Sequence, residues 1–148
     1  MHSYAHRWLR LLAAVFLAFA AAGSARAQIP LREQRNAEML EKLAHQEFGE
    51  LSAAERAFVR GAASREVRWV GPSDDPADLS NDPDQPGKWG AERAIRAELF
   101  AWLVSASEAA PFIHPSGPGI AGAKIIGKLD LSYANVARPL TLIRCAIP

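Results

Sequence analysis

The 148-residue chain has one cysteine, Cys145, so it can form no disulfide within itself and its stability must come from packing. It has only four histidines and no Cys/His cluster at metal-ligand spacing, which leaves no zinc-type motif. Its longest uninterrupted apolar run, Leu11 to Ala22, has 12 residues, short of the roughly 20 that cross a bilayer. Large charge imbalance is missing too. With 17 Lys and Arg against 16 Asp and Glu, nothing favours nucleic acid or an anionic membrane as a partner.

What the N-terminus does have is a basic start with Arg7 and Arg10, the apolar run, and then Gly23-Ser24-Ala25-Arg26-Ala27. Small residues at 25 and 27 are what a signal peptidase reads, so residues 1–27 are expected to be a cleavable secretory signal peptide. Export to the periplasm or the extracellular space follows, a signal anchor in the inner membrane being the alternative. Cleavage after Ala27 would leave 121 residues with 14 basic and 16 acidic side chains, enough for one domain with a modest core.

Residues 28–110 read as a helical region. Good helix formers run from Leu31 to Phe48, with Leu31, Met39, Leu43 and Phe48 along one face and a stop at Gly49. Ser52-Ala53-Ala54-Glu55 has the form of a capping box, predicting a second helix over about 53–63 that buries Ala54, Phe58 and Val59. Alternation over 66–70, stopped by Gly71-Pro72, predicts a short strand. Ile95, Leu99, Trp102 and Leu103 follow the i, i+4, i+7, i+8 spacing of a buried helical face that should end before Pro111.

Between these elements, residues 71–88 hold four prolines and five aspartates and read as an exposed loop. Asp74, Asp75, Asp78, Asp82 and Asp84 place hard oxygen donors close together, and Ca²⁺ takes 6–8 such ligands, so calcium is the one cofactor the sequence brings forward. The EF-hand spacing is absent, and Asp-Pro pairs also serve ordinary turns.

The last segment repeats. Residues 118–128, 129–139 and 140–148 align with a period of 11: Ile120, Leu131 and Leu142 superpose, as do Ala123, Ala134 and Cys145, and Ile125, Val136 and Ile147. Such a period predicts an α+β protein whose N-terminal helices cap the first one to two coils of a right-handed parallel β-helix, a truncated solenoid occupying 117–148. Under that reading the chain stops inside its second coil. The open coil would then continue in a longer chain, self-associate or meet a partner.

The series Gly71-Pro72-Ser73-Asp74-Asp75, Asn81-Asp82-Pro83, Lys88-Trp89-Gly90, Arg93 to Leu99, Trp102-Leu103, Gly122-Ala123-Lys124-Ile125 and Gly127 to Ser132 resembles the start of a family of larger exported bacterial proteins. Those are similar to pentapeptide-repeat and related β-helix proteins, and some are labelled membrane-associated oxidoreductases. The resemblance spans residues 50–148 and implies a helical cap on a long solenoid. It carries no catalytic residues.

Two nucleotide-like motifs fail on context. Gly117-Pro118-Gly119-Ile120-Ala121-Gly122 matches G-x-G-x-x-G, but prolines flank it, repeat strands follow it, and Asp130 comes too early to hold a ribose. Gly122 to Leu129 lacks the Ser or Thr of a P-loop. Cys145 sits at a small inward repeat position and reads as packing. His45, His114, Glu92, Glu98 and Glu108 could serve acid/base chemistry only through a geometry that sequence does not supply. The leading reading is a noncatalytic binding or structural module of the cell envelope. The second is an envelope enzyme with a pocket between Trp89, Trp102 and the loop at 71–88.

Overall fold

The computed structural model describes residues 31–147; the expected signal peptide, residues 1–27, and Pro148 lie outside the described residues. Helix α1 covers residues 31–48 and closes with the Gly49 N–H donating to the His45 carbonyl at 2.9 Å, at the stop the sequence predicts. Its buried face is not the expected one. Ala37, Leu40 and Ala44 are buried, while Leu31 and Met39 are exposed. That face centres on Leu40, flanked one turn to either side by the small side chains of Ala37 and Ala44, so Leu31 and Met39 fall outside it.

Helix α2, Ala53–Gly61, begins where the capping box places it. The Ser52 hydroxyl accepts from the Glu55 N–H at 3.1 Å and Glu55 Oε2 accepts from the Ser52 N–H at 2.9 Å. Ala54, Phe58 and Val59 are buried as expected. Helix α3, Ala97–Ser105, buries Leu99 and Leu103, and also Phe100, whose ring stacks on Phe58 with centroids 5.3 Å apart. Ile95 is fully buried as well, but from a strand preceding α3 and not from the helix itself.

Five very short strands complete the fold: β1 Arg68–Trp69, β2 Ala94–Arg96, β3 Gly119–Ala121, β4 Lys124–Ile126 and β5 Thr141–Ile143. They form two separate parallel sheets, ordered β1-β3-β5 and β2-β4. Helix α2 packs on both sheets, contacting β1, β2 and β3, and α3 contacts β2 and β4. The core lies between them, built from Leu40, Phe58, Val59, Leu99, Phe100, Leu103, Ile120 and Ile125.

This arrangement overturns the truncated β-helix. The class is α+β, with three helices and two small parallel sheets, and no solenoid is formed by the described residues. The first and third repeat units do meet, Ile120 opposite Leu142 and Ala121 opposite Ile143. The middle unit, 129–139, contains no strand, turns through Tyr133 at φ 61°, and leaves that ring in solvent. Equivalent repeat positions are also unequal in burial: Ile125 is 3% exposed, Val136 42% and Ile147 51%. Strands β1 and β2, which pair with the repeat strands, come from outside the repeat altogether. A coil of two units would set the first unit over the third, as the pairing does, but it also needs the middle unit to form a strand of its own, and no strand lies in 129–139.

An ion pair between a buried carboxylate and a partly exposed guanidinium ties the helices to the sheets. Arg96 at the end of β2 donates from Nε to Glu55 Oε1 at 2.6 Å and from Nη2 to Oε2 at 2.9 Å. Its guanidinium also reaches the carbonyls of Phe48 and Glu50, fixing the α1–α2 turn. Burial works to raise the Glu55 carboxyl, but the Arg96 guanidinium and the backbone N–H groups of Ser52 and Arg96 outweigh it and hold it below the ordinary range.

Candidate functional site

The proline-rich run is a folded structure with a polar centre. Asp78 opens a 3₁₀ turn at Leu79–Asn81 by accepting the Ser80 N–H at 2.8 Å, and a second turn spans Pro86–Lys88. Asn81, fully buried, donates from Nδ2 to the carbonyls of Ser73 at 2.9 Å and Asp75 at 3.0 Å, gathering the loop around itself. Its Oδ1 faces Arg93 Nη1 at 3.4 Å, and the same nitrogen donates to the Ser80 carbonyl at 2.9 Å. The Arg93 guanidinium lies over the Trp89 ring, 4.6 Å from its centroid.

Beside this centre is a cleft of about 490 Å³. Val70, Pro72, Leu79 and Trp89 give it apolar walls, and Ser80, Gln85, Lys88, Glu92 and Arg93 supply the polar groups. Gly71 also lines it and has to be glycine. A Cβ there would collide with Asn81 Oδ1 and come within 3.0 Å of Arg93 Nη2. Behind the wall, Lys124 of β4 donates to the carbonyls of Pro86 at 3.3 Å and Trp89 at 3.2 Å, so the second sheet anchors the loop that carries the indole. Ser80 Oγ is buried and has no hydrogen-bond partner.

Arg93 is 3% exposed, yet among the described residues no carboxylate lies within salt-bridge distance of it. Glu92, next in the chain, turns its carboxylate back to the Gly90 N–H at 3.2 Å. Asp78 feels Arg93 only weakly, its carboxyl being lowered chiefly by the Ser80 N–H.

The five aspartates put forward as calcium ligands are spread along the rim. Asp75 Oδ1 accepts from the Ala77 N–H at 2.8 Å, Asp78 from Ser80, and Asp82 from the Asp84 N–H at 3.0 Å and Gln85 Nε2 at 2.8 Å. Each of these three carboxylates closes its own turn, while Asp74 and Asp84 are exposed. Among the described residues, no three His, Cys, Asp or Glu side chains gather as a metal site.

The remaining candidates are separated from the cleft. Trp102 packs edge-on against Phe48 with centroids 5.7 Å apart and donates from Nε1 to Glu108 at 3.0 Å, so it does not line the cleft with Trp89. His114 Nδ1 lies 2.7 Å from Ser116 Oγ in a turn. In the G-x-G-x-x-G stretch, Gly117 presses against the Pro139 carbonyl and the residues that follow are β3, not a helix. Lys124 of the P-loop-like stretch is committed to carbonyls. Cys145 lies near the carbonyls of Ile120 and Ile143, and burial pushes its thiol up, away from the reactive thiolate.

Asn81, Arg93 and Ser80 carry no period and no metal or catalytic spacing, so although Asn81 and Arg93 each open a stretch singled out in the sequence, nothing there marks them as site residues. The available signal was Arg93 itself, a cation immediately before the strand Ala94–Arg96 that buries Ile95. Among the described residues, no helix is long and apolar enough to cross a membrane. No protein-family model, curated protein or solved structure matches the chain.

Proposed function

We propose that this is a noncatalytic binding module of the cell envelope and that the cleft over Trp89 holds its ligand. The observation that carries the reading is the cleft's make-up: apolar side chains, the buried Trp89 among them, lining it together with a small set of polar groups that includes the buried Arg93, the composition of a small-molecule site. Those polar groups recognise rather than react. Arg93 and Lys88 are cations, and the Glu92 carboxylate is turned to the Gly90 N–H. Envelope placement rests on the signal-peptide pattern of residues 1–27.

The cleft is tested by NMR of the indole N–H groups while small aromatic fragments, benzoate and benzamide, are titrated. The Trp89 signal should shift saturably and the Trp102 signal should stay in place. Equal movement of both, or of neither, overturns the reading. Export is tested separately: material from the periplasm or medium should begin at Gln28 by mass spectrometry, and Ala27→Arg should leave the precursor uncut.

A further inference from the structure

We infer that the ligand of the Trp89 cleft carries an anionic oxyacid group, a carboxylate or a phosphate monoester, which docks on Arg93 while its apolar body lies against Trp89, Val70, Pro72 and Leu79. The inference rests on the cleft being the ligand site, and names what that site selects.

A guanidinium has five N–H donors and is charged at all accessible pH. Arg93 is almost wholly buried, and its two hydrogen bonds, to the Ser80 carbonyl and Asn81 Oδ1, both leave from Nη1. Among the described residues neither Nε nor Nη2 has an acceptor in bonding geometry. Buried charges are ordinarily matched by an opposite charge, because desolvating one alone costs several kcal/mol. The contrast within the molecule is direct: Arg96, more exposed, has the Glu55 carboxylate on two of its nitrogens and carbonyls on the remaining bonds. Arg93 has Trp89 on one face, which offsets part of the desolvation, and no carboxylate.

Arg93 lines the cleft, and neither its Nε nor its Nη2 is among the sealed polar atoms without a partner, so this edge of the guanidinium stays open to solvent. Gly71 keeps it open, since a Cβ at 71 would stand 3.0 Å from Nη2. Adjacent Nε–H and Nη2–H bonds form the fork that matches two oxygens of a carboxylate or phosphate. Lys88 adds a second, exposed cation to the lining, against the single carboxylate of Glu92. Asp78 and Asp82 lie outside the lining, bound to their own turns.

The experiment titrates the secreted chain with benzoate, phenyl phosphate and the neutral isostere benzamide, following the Trp89 indole N–H and the Arg93 Nε–H by NMR. Both anions should bind at least about tenfold more tightly than benzamide, the difference expected of a charge-assisted pair over a neutral contact. The Arg93 Nε–H should move with the anions alone, and the tighter of the two names the group. Lys88→Gln, at an exposed position, should weaken the anions several-fold and leave benzamide unchanged. Benzamide binding as tightly as benzoate would overturn the anion inference while leaving the cleft as a ligand site. If no probe moves Trp89, the cleft reading falls and this inference with it.

Discussion

Phe58 in α2 and Asn81 in the proline-rich loop are both fully excluded from solvent, but they are held by opposite means. Phe58 lies among rings and aliphatic chains from α2, α3 and the strands, and its attachment is dispersion and apolar burial, which any similar side chain would partly supply. Asn81 lies among carbonyls and a guanidinium, and each of its polar atoms has a named partner. The first region loses stability in proportion to the apolar contact removed and the cavity left, because its neighbours settle only partly. The second is all or none, because an orphaned donor or acceptor costs more than its hydrogen bond was worth. A binding surface gains from the second kind of construction, since polar groups fixed by backbone carbonyls present one geometry to a ligand.

The largest expected effect lies in the apolar region. Phe58→Ala removes the ring that stacks on Phe100 and should cost about 3–5 kcal/mol, read as a lower urea midpoint for the whole unit. Asn81→Ala should cost less, roughly 2–3 kcal/mol, since the carbonyls of Ser73 and Asp75 and the Nη1–H of Arg93 lose their partner close to solvent. The comparison is sharpened by where the loss is felt. Amide exchange should accelerate across residues 71–88 in Asn81→Ala and leave α2 and α3 protected, whereas Phe58→Ala should accelerate both. Uniform acceleration in both variants would show that the loop and the apolar core are one cooperative unit.

The Glu55–Arg96 pair bridges the two kinds of packing. Glu55→Gln removes the charge but keeps the shape, and about 2 kcal/mol should be lost, less than for a fully buried pair because the Arg96 side chain is a third exposed. The pH dependence has a definite sign. A carboxyl held below its ordinary value of about 4.5 stabilises the fold above that pH, and the contribution disappears as pH falls through the lower folded value. Wild type should therefore lose stability more steeply than Glu55→Gln on acidification below about pH 4.5, and parallel curves would remove Glu55 from the acid response.

How much of this was legible in the sequence follows the same division. The capping box at Ser52 and Glu55, the face of Phe58 and Val59, and Leu99 and Leu103 were readable because helices impose a period that apolar side chains record. Strands of two or three residues impose almost none, so Ala94–Arg96 was absorbed into the predicted helix, and the 11-residue repeat suggested full coils where the first and third units pair but the middle one forms no strand. The burial of Asn81 and Arg93 depends on hydrogen bonds between residues 6 to 13 apart along an irregular loop, a relation no local pattern encodes. The aspartates were visible as a cluster in sequence, yet three of them close separate turns in space.

That last point sets the smallest expected effect, at the rim of the polar region. The Asp78 carboxylate accepts the Ser80 N–H and the Asp82 carboxylate accepts from Asp84 and Gln85, each on its own turn, and among the described residues no three acidic side chains gather around one point. Carboxylates held apart on separate turns bind Ca²⁺ singly and weakly, and a ligand present well below its Kd stabilises almost nothing. Calcium on the order of 1 mM should accordingly move Tm by less than about 1 °C. Asp78→Ala should lower Tm slightly, through loss of the cap on the Leu79–Asn81 turn, and by the same amount with calcium as without it. A calcium-dependent rise of several degrees, abolished in the Asp78→Ala, Asp82→Ala double variant, would mean that the loop rearranges around the ion. The polar region would then be a switch with two arrangements, and not the single fixed geometry that its hydrogen bonds to Asn81 describe.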